Sequence, residues 1–183
     1  MTFLKRAIGA ASLDIAAYEE VEADRHATWQ ALAVVILSSA AAGIGLGSGR
    51  YDAPVLTLVL LALLMWVFWA ALTYAIGFYL MPEPQTETDV TELMRTIGFA
   101  ASPGMLRVLG FIPGVGPTLY GLATAWMLVA MVIAVRQALD YKSTSRAVVV
   151  CVIAGVTAVA MTALIGGLLL VVAEKLFSRG VSS

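Results

Sequence analysis

Four stretches of this chain run for about twenty residues or more without a charged side chain: 27–49, 55–81, 116–135 and 147–173. A bilayer core about 30 Å thick is crossed by about 20 apolar residues in an α-helix. Lipid offers no partner to backbone N–H and C=O groups, so runs of this kind must be helical. Charged residues make up only 13% of the chain, about half the share of a soluble domain. That deficit excludes an ordinary water-soluble fold. The expected class is all-α, a polytopic membrane helix bundle.

A fifth crossing is expected at 91–112, giving spans at 27–49, 55–81, 91–112, 116–136 and 147–173 within a membrane domain of 27–174. The polar linker Pro82–Asp89 precedes it, and Asp89 followed by Glu92 has the spacing of a capping box. This is the least regular span, because Ser102-Pro103-Gly104 must kink or break it. Pro103 and Gly104 form a candidate hinge, and a re-entrant helix is the competing geometry. Arg107 lies near its far end, from where it is expected to extend outward to the headgroups. The segment Ile112–Pro117 reads as a tight turn into the next span, and Gly49–Pro54, with Asp52 as cap, reads as another. Small residues at Ser39, Gly43 and Gly47, and at Ala154, Ala158, Thr162 and Gly166, have the spacing of close helix packing. Trp66 and Trp69 read as packing aromatics whose indole N–H groups bond a neighbouring helix, and Cys151 reads as an apolar filler. Residues 175–183 read as a short tail.

Ahead of the first span, residues 1–26 form an amphipathic and acidic lead-in. Leu4, Ile8, Ala11, Ile15 and Tyr18 share one side of a helix over 3–20, with Lys5 and Arg6 on the other. A helix so short is expected to lie in the headgroup plane. Lys5 and Arg6 precede acidic residues rather than an apolar run, so no cleaved secretion signal is expected. Basic residues flanking the spans divide seven to four, Lys5, Arg6, Arg25, Arg95, Arg136, Lys142 and Arg146 against Arg50, Arg107, Lys175 and Arg179. The excess predicts a cytoplasmic N-terminus in an inner membrane and, with five crossings, a C-terminus outside.

That topology gathers Glu22, Asp24, Glu92, Arg95 and Arg136 at one membrane face. Glu92 and Arg95 can pair at i, i+3. Two accounts stay open. The charges can cap and anchor helices, or they can form a pocket for a lipid headgroup phosphate or a divalent ion. Net charge is −1, so no nucleic-acid surface is expected. One histidine and one cysteine supply neither a metal cage nor an internal disulfide, and no cofactor is expected.

The acidic lead-in Tyr18–Asp24, the stretch Glu92–Pro103, the Ile112–Pro117 turn and the run Trp126–Leu139 together resemble the Yip family of Ypt/Rab-interacting membrane proteins, in its compact prokaryotic branch. The resemblance covers about residues 10 to 170. It implies five membrane helices and a cytosolic N-terminus. Eukaryotic relatives are associated with Rab GTPases and vesicle traffic, and carry a longer N-terminal region with an Asp-Leu-Tyr-Gly-Pro motif. Neither is present in this sequence, so a small GTPase partner is not expected.

Three function classes follow. A non-enzymatic membrane organiser or interaction scaffold fits the amphipathic start and the small-residue stripes, with membrane lipids, other membrane proteins or a second copy (a homodimer) as partners. A lipid or small-solute transporter would use the Pro103 kink and the interfacial arginines. An intramembrane enzyme has least support: there is no HExxH, GxSxG or phosphate loop, and Ser102 has no histidine or lysine in evident reach.

Overall fold

The computed structural model describes residues 1–47 and 55–181, with side chains for all of these except 55, 58 and 165–181. Every regular element among them is helical. In chain order these are α1 (Phe3–Ala11), α2 (Ile15–Ala23), α3 (Ala27–Gly45), α4 (Val55–Tyr74, continued by a π-helical turn Ala75–Leu80), α5 (Val90–Ala100), a 3-10 helix (Ser102–Phe111), α6 (Gly116–Ala138) and α7 (Thr144–Val181). Four described helices are long and apolar enough to cross a membrane: Ala27–Gly45, Val59–Leu80, Gly116–Ala138 and Thr144–Leu164. The turn expected at Gly49–Pro54, with its Asp52 cap, lies outside the described residues, and the packing expected at Gly166 falls in the stretch whose side chains are not described. Helix α7 continues to Val181, into the residues expected as a tail.

The span expected at 91–112 is not one continuous α-helix. The capping box that starts it is present: the Glu92 N–H donates to Asp89 Oδ1 (2.8 Å), and the Asp89 N–H to Glu92 Oε2 (3.0 Å). The α-helix then stops at Ala100, and a 3-10 helix carries on from Ser102. Pro103 has no N–H for the helical ladder, and the Gly104 N–H bonds the carbonyl of Ala101 (2.9 Å) three residues back. This composite element lies along α3 in the same direction. Gly98 packs on Ala31, Gly104 on Ser38, and Gly110 on the Gly45 carbonyl. A 3-10 helix rises about 2.0 Å per residue against 1.5 Å, so the shorter stretch from Gly98 to Gly110 keeps pace with the longer one from Ala31 to Gly45 on α3.

Close packing on α3 uses a different stripe from the expected one. Ala27, Ala31, Val34, Ser38, Ala41 and Gly45 are buried, whereas Ser39 and Gly43 are only partly covered and Gly47 is exposed. Both stripes have helical spacing. Only the neighbouring backbone decides which is used. On α7 the seam runs through Ala147, Val150, Ala154 and Ala158, so the first two expected positions hold, while Thr162 is exposed. The Trp66 indole donates to the Met94 carbonyl (3.1 Å), a bond between helices as expected. The Trp69 indole N–H is buried without a partner among the described residues, and the far edge of its ring packs on Gly155.

The lead-in is two helices rather than one. Residues 3–20 break at Ser12–Asp14, where Leu13 takes a left-handed φ of 61°. The Leu13 N–H bonds the Ala10 carbonyl, and the Asp14 N–H bonds that of Gly9. These two bonds close α1 in a Schellman motif, and Asp14 then caps α2 by accepting from the Ala16 N–H (3.0 Å). The resulting hairpin turns Arg6 inward, correcting its expected solvent-facing position. Leu4 and Ile8 stay 64% and 57% exposed.

At the other chain end of α6, Asp140 (φ 52°) closes a second Schellman motif. The following Tyr141 donates its hydroxyl to the carbonyls of Gly77 (3.1 Å) and Met81 (2.8 Å). Those carbonyls belong to the π-helical end of α4, where the regular ladder is interrupted. The 82–89 linker is strapped over the same turn: Thr86 Oγ1 donates to the Leu139 carbonyl (2.9 Å), and Arg146 pairs with Glu83 (3.3 Å). This end of the bundle is called the collar end below.

Candidate functional site

The charges expected to gather at one face do so at the collar end, but they divide into three groups. Arg95, on the second turn of α5, is only 4% exposed. Its Nη2 and Nε donate to the main-chain carbonyl of Glu22 (2.6 and 3.2 Å), and its Nη2 lies 3.8 Å from Glu92 Oε1. Glu22, Glu92 and Arg95 are therefore brought together, with Arg95 latching the end of α2 rather than reaching outward. Asp24 belongs to another group. Arg6 bridges Asp24 Oδ2 (2.7 Å), Glu20 Oε1 (2.9 Å) and Gln30 Oε1 (3.0 Å), tying α1, α2 and the start of α3. That contact was not legible in the sequence, because Arg6 sits on the polar side of a single helix and turns inward only when the helix folds back. Arg136 stands apart: its Nε donates to the Tyr141 carbonyl (3.2 Å) and fastens its own turn.

The electrostatics follow these partners. The Arg6 hydrogen bond, with the His26 N–H, holds the Asp24 carboxyl below its ordinary range. Burial, then the Asp140 and Glu92 carboxylates, push Glu22 up to about 7, with Arg95 opposing. A carboxyl raised in the folded state favours that state when protonated. Its contribution is complete below the ordinary carboxyl range and is lost as pH rises through about 7. The hairpin should therefore be held more tightly at pH 5.5 than at pH 8, by about 1–2 kcal/mol for a half-buried group after solvent screening. Hydrogen exchange of residues 15–24 in detergent micelles at the two pH values checks this. Glu22→Gln should abolish the difference; a pH dependence that persists in Glu22→Gln assigns it elsewhere.

The hairpin descends along the bundle. Phe3 packs on Phe99 (ring centroids 6.4 Å apart). The buried Tyr18 hydroxyl donates to the carbonyls of Ala10 (3.0 Å) and Ala130 (3.4 Å). The Trp126 indole donates to the Ala11 carbonyl (2.7 Å), at the last turn of α1. Trp126 lies twelve residues before Ala138, about 18 Å down α6 at 1.5 Å per residue. The hairpin tip is therefore about halfway along that span, not level with its end.

Arg107 is the charged residue whose direction the sequence concealed. It does not extend outward. Its Nε donates to the Gly104 carbonyl (3.0 Å), and its Nη2 to the Ser38 carbonyl (3.1 Å) and hydroxyl (2.9 Å). Its guanidinium lies 5.8 Å from the Tyr120 ring centroid. Ser38 is seven residues inside the end of α3, about 10 Å. No carboxylate pairs with Arg107 among the described residues. The glycine-rich 3-10 backbone is what permits the inward turn, since a Cβ at Gly104 would crowd both Ser38 and Arg107.

Proline 103 and Gly104, the candidate hinge, are both buried between α3 and α6. No cluster of His, Cys, Asp and Glu able to hold a metal occurs among the described residues. A family model, the Yip1 domain, matches residues 15–165. No curated protein and no solved structure gives a significant match. The match runs from the first residue of α2 to a point inside α7, and this chain belongs to the Yip1 domain family of membrane proteins.

Proposed function

We propose that this protein is a non-enzymatic membrane organiser that wedges open one leaflet with its α1–α2 hairpin. The observation that carries the reading is the bond from Trp126 to Ala11, which holds the hairpin tip halfway down α6 while Leu4, Ile8 and Ile15 face outward. A body that reaches about half the bilayer adds area to one leaflet and not to the other, and amphipathic insertions of this kind respond to curvature. The reading places the collar end in the cytoplasm, by the seven-to-four excess of basic residues. It counts the α5 and 3-10 element as a fifth crossing, because that element keeps company with α3 along its length, and so puts the C-terminus outside. Glu22, Asp24, Glu92, Arg95 and Arg136 serve here as the fastenings of the collar, a role their main-chain and ion-pair contacts favour over a headgroup pocket.

The test is reconstitution in liposomes of defined lipid, with vesicle diameter read by electron microscopy. Wild-type protein should narrow the vesicles in proportion to its density. Leu4→Glu/Ile8→Glu, at two exposed positions, should leave thermal unfolding within about 0.5 kcal/mol of wild type and remove the narrowing. Vesicles of equal size with wild type, double variant and no protein would end the proposal. A second reading, lipid passage through the bundle, is favoured by the α to 3-10 break at Pro103 and Gly104. A fluorescent-lipid flip assay on the same liposomes decides it, since no acceleration over empty liposomes removes it.

A further inference from the structure

Behind Arg107 lies a cavity of about 250 Å³ between α3, α4, the 3-10 element and α6. Its wall is apolar apart from one end. Trp66, Trp69, Met127 and Met131 line most of it, and Arg107 and Ser38 close the polar end. We propose that this cavity binds a single-chain anionic amphiphile, with its carboxylate or phosphate on Arg107 and its alkyl chain among the tryptophans and methionines.

Three observations converge on that ligand. The first is the cation. A charged residue at bilayer depth costs about 2.5–3.5 kcal/mol on insertion scales, and outward extension, the usual relief, is not taken. Arg107 instead spends Nε and Nη2 on Gly104 and Ser38. Those bonds fix the plane of the guanidinium but leave its charge without a carboxylate among the described residues. The second is the lining. Methionine is flexible and polarisable, suited to a chain of variable shape, and the Trp69 indole in the same wall has its N–H buried without a partner among the described residues. The third is size. The volume of about 250 Å³ falls just under the range of about 300–1,000 Å³ for drug-sized ligands, room for the head and the adjoining part of one alkyl chain and not for two chains side by side. Its site is separate from the wedge face of the hairpin, so the two proposals fail independently.

The experiment uses the tryptophans already in the wall. Full-length protein in detergent micelles is titrated with dibromostearic acid and, separately, with its methyl ester, and tryptophan quenching is followed. A charge-assisted bond worth about 1.5–3 kcal/mol predicts saturable quenching by the acid at a concentration about tenfold or more below that of the ester. Arg107→Gln should erase the advantage of the acid, and Arg107→Lys should keep part of it. Ala62→Leu, which fills the cavity without touching Arg107, should weaken both probes. That variant keeps the test decisive if Arg107→Gln fails to fold. Inorganic phosphate separates a free anion from a chain-bearing one: failure to displace the acid supports the amphiphile, and full displacement at equal concentration overturns it. Equal quenching by acid and ester, or an unchanged acid titration in Arg107→Gln and Ala62→Leu, also overturns the assignment.

Discussion

Gly45→Val should cost the bundle about 3 kcal/mol or more, enough to lower its unfolding temperature in detergent by many degrees. Overpacking a tight core costs about 1–3 kcal/mol when side chains can give way. Here the obstacle is backbone. A Cβ at Gly45 would overlap the Arg107 carbonyl, a Cβ at Gly110 would lie 2.6 Å from the Gly45 oxygen, and one at Gly116 would overlap the Gly110 carbonyl. Three glycines thus bring α3, the 3-10 helix and α6 into main-chain contact at the far end from the collar. Nothing there can rotate aside, so the elements must separate. Two other glycines calibrate the measurement. Gly47, at φ +79° with open space around it, should lose about 1–2 kcal/mol as alanine from backbone strain alone. Gly121, in the second turn of α6 and equally open, should gain about 0.5–1 kcal/mol as alanine through lower chain entropy. Thermal unfolding that ranked Gly47→Ala as costly as Gly45→Val would refute the three-glycine junction.

The second large effect should come from Arg95→Met. Methionine retains the apolar stem but removes both hydrogen bonds to the Glu22 carbonyl. A buried acceptor left without a donor costs about 1–3 kcal/mol, and bonds from a charged donor sit at the upper end. The expected loss is about 2–3 kcal/mol, and it should be local. Hydrogen exchange across 15–24 should accelerate about thirtyfold or more, while α4 and α7 keep their protection. Arg95→Lys should recover only part, because a single ammonium cannot reproduce the fixed fork of Nε and Nη2. Unchanged exchange in Arg95→Met would mean that α2 is held by Tyr18 and Val21 burial alone, and that the latch is idle.

How much of this was legible depends on how far each cause reaches along the chain. The capping box at Asp89 and Glu92 needs residues three apart, and it is present as read. The break at Ser102-Pro103-Gly104 needs only an absent N–H, and the α-helix ends there. The Trp66 bond to a neighbouring helix could be anticipated because a buried indole must find an acceptor, although which carbonyl it takes could not. Position-specific packing was harder. Ser39, Gly43 and Gly47 have the right spacing, yet the seam runs through Ser38, Ala41 and Gly45, one or two residues away, because the partner is the backbone of a segment over sixty residues later in the chain.

The charges divide along the same line. Collecting Glu22, Glu92 and Arg95 at one face follows from where the apolar runs begin and end. The direction of Arg6 and of Arg107 does not. Arg6 turns inward because a left-handed Leu13 folds α1 back on α2, and Arg107 turns inward because Ser38 offers a carbonyl and a hydroxyl across the helix contact.

By itself the sequence determined the solvent: long uncharged runs must satisfy their own backbones, so they are helices in lipid, and their caps and breaks are written in adjacent residues. The tertiary structure alone decided which small residues meet, that the lead-in doubles back along α6, and that one arginine faces a cavity rather than the headgroups. Those outcomes hang on contacts between distant segments, whose energies no local pattern carries.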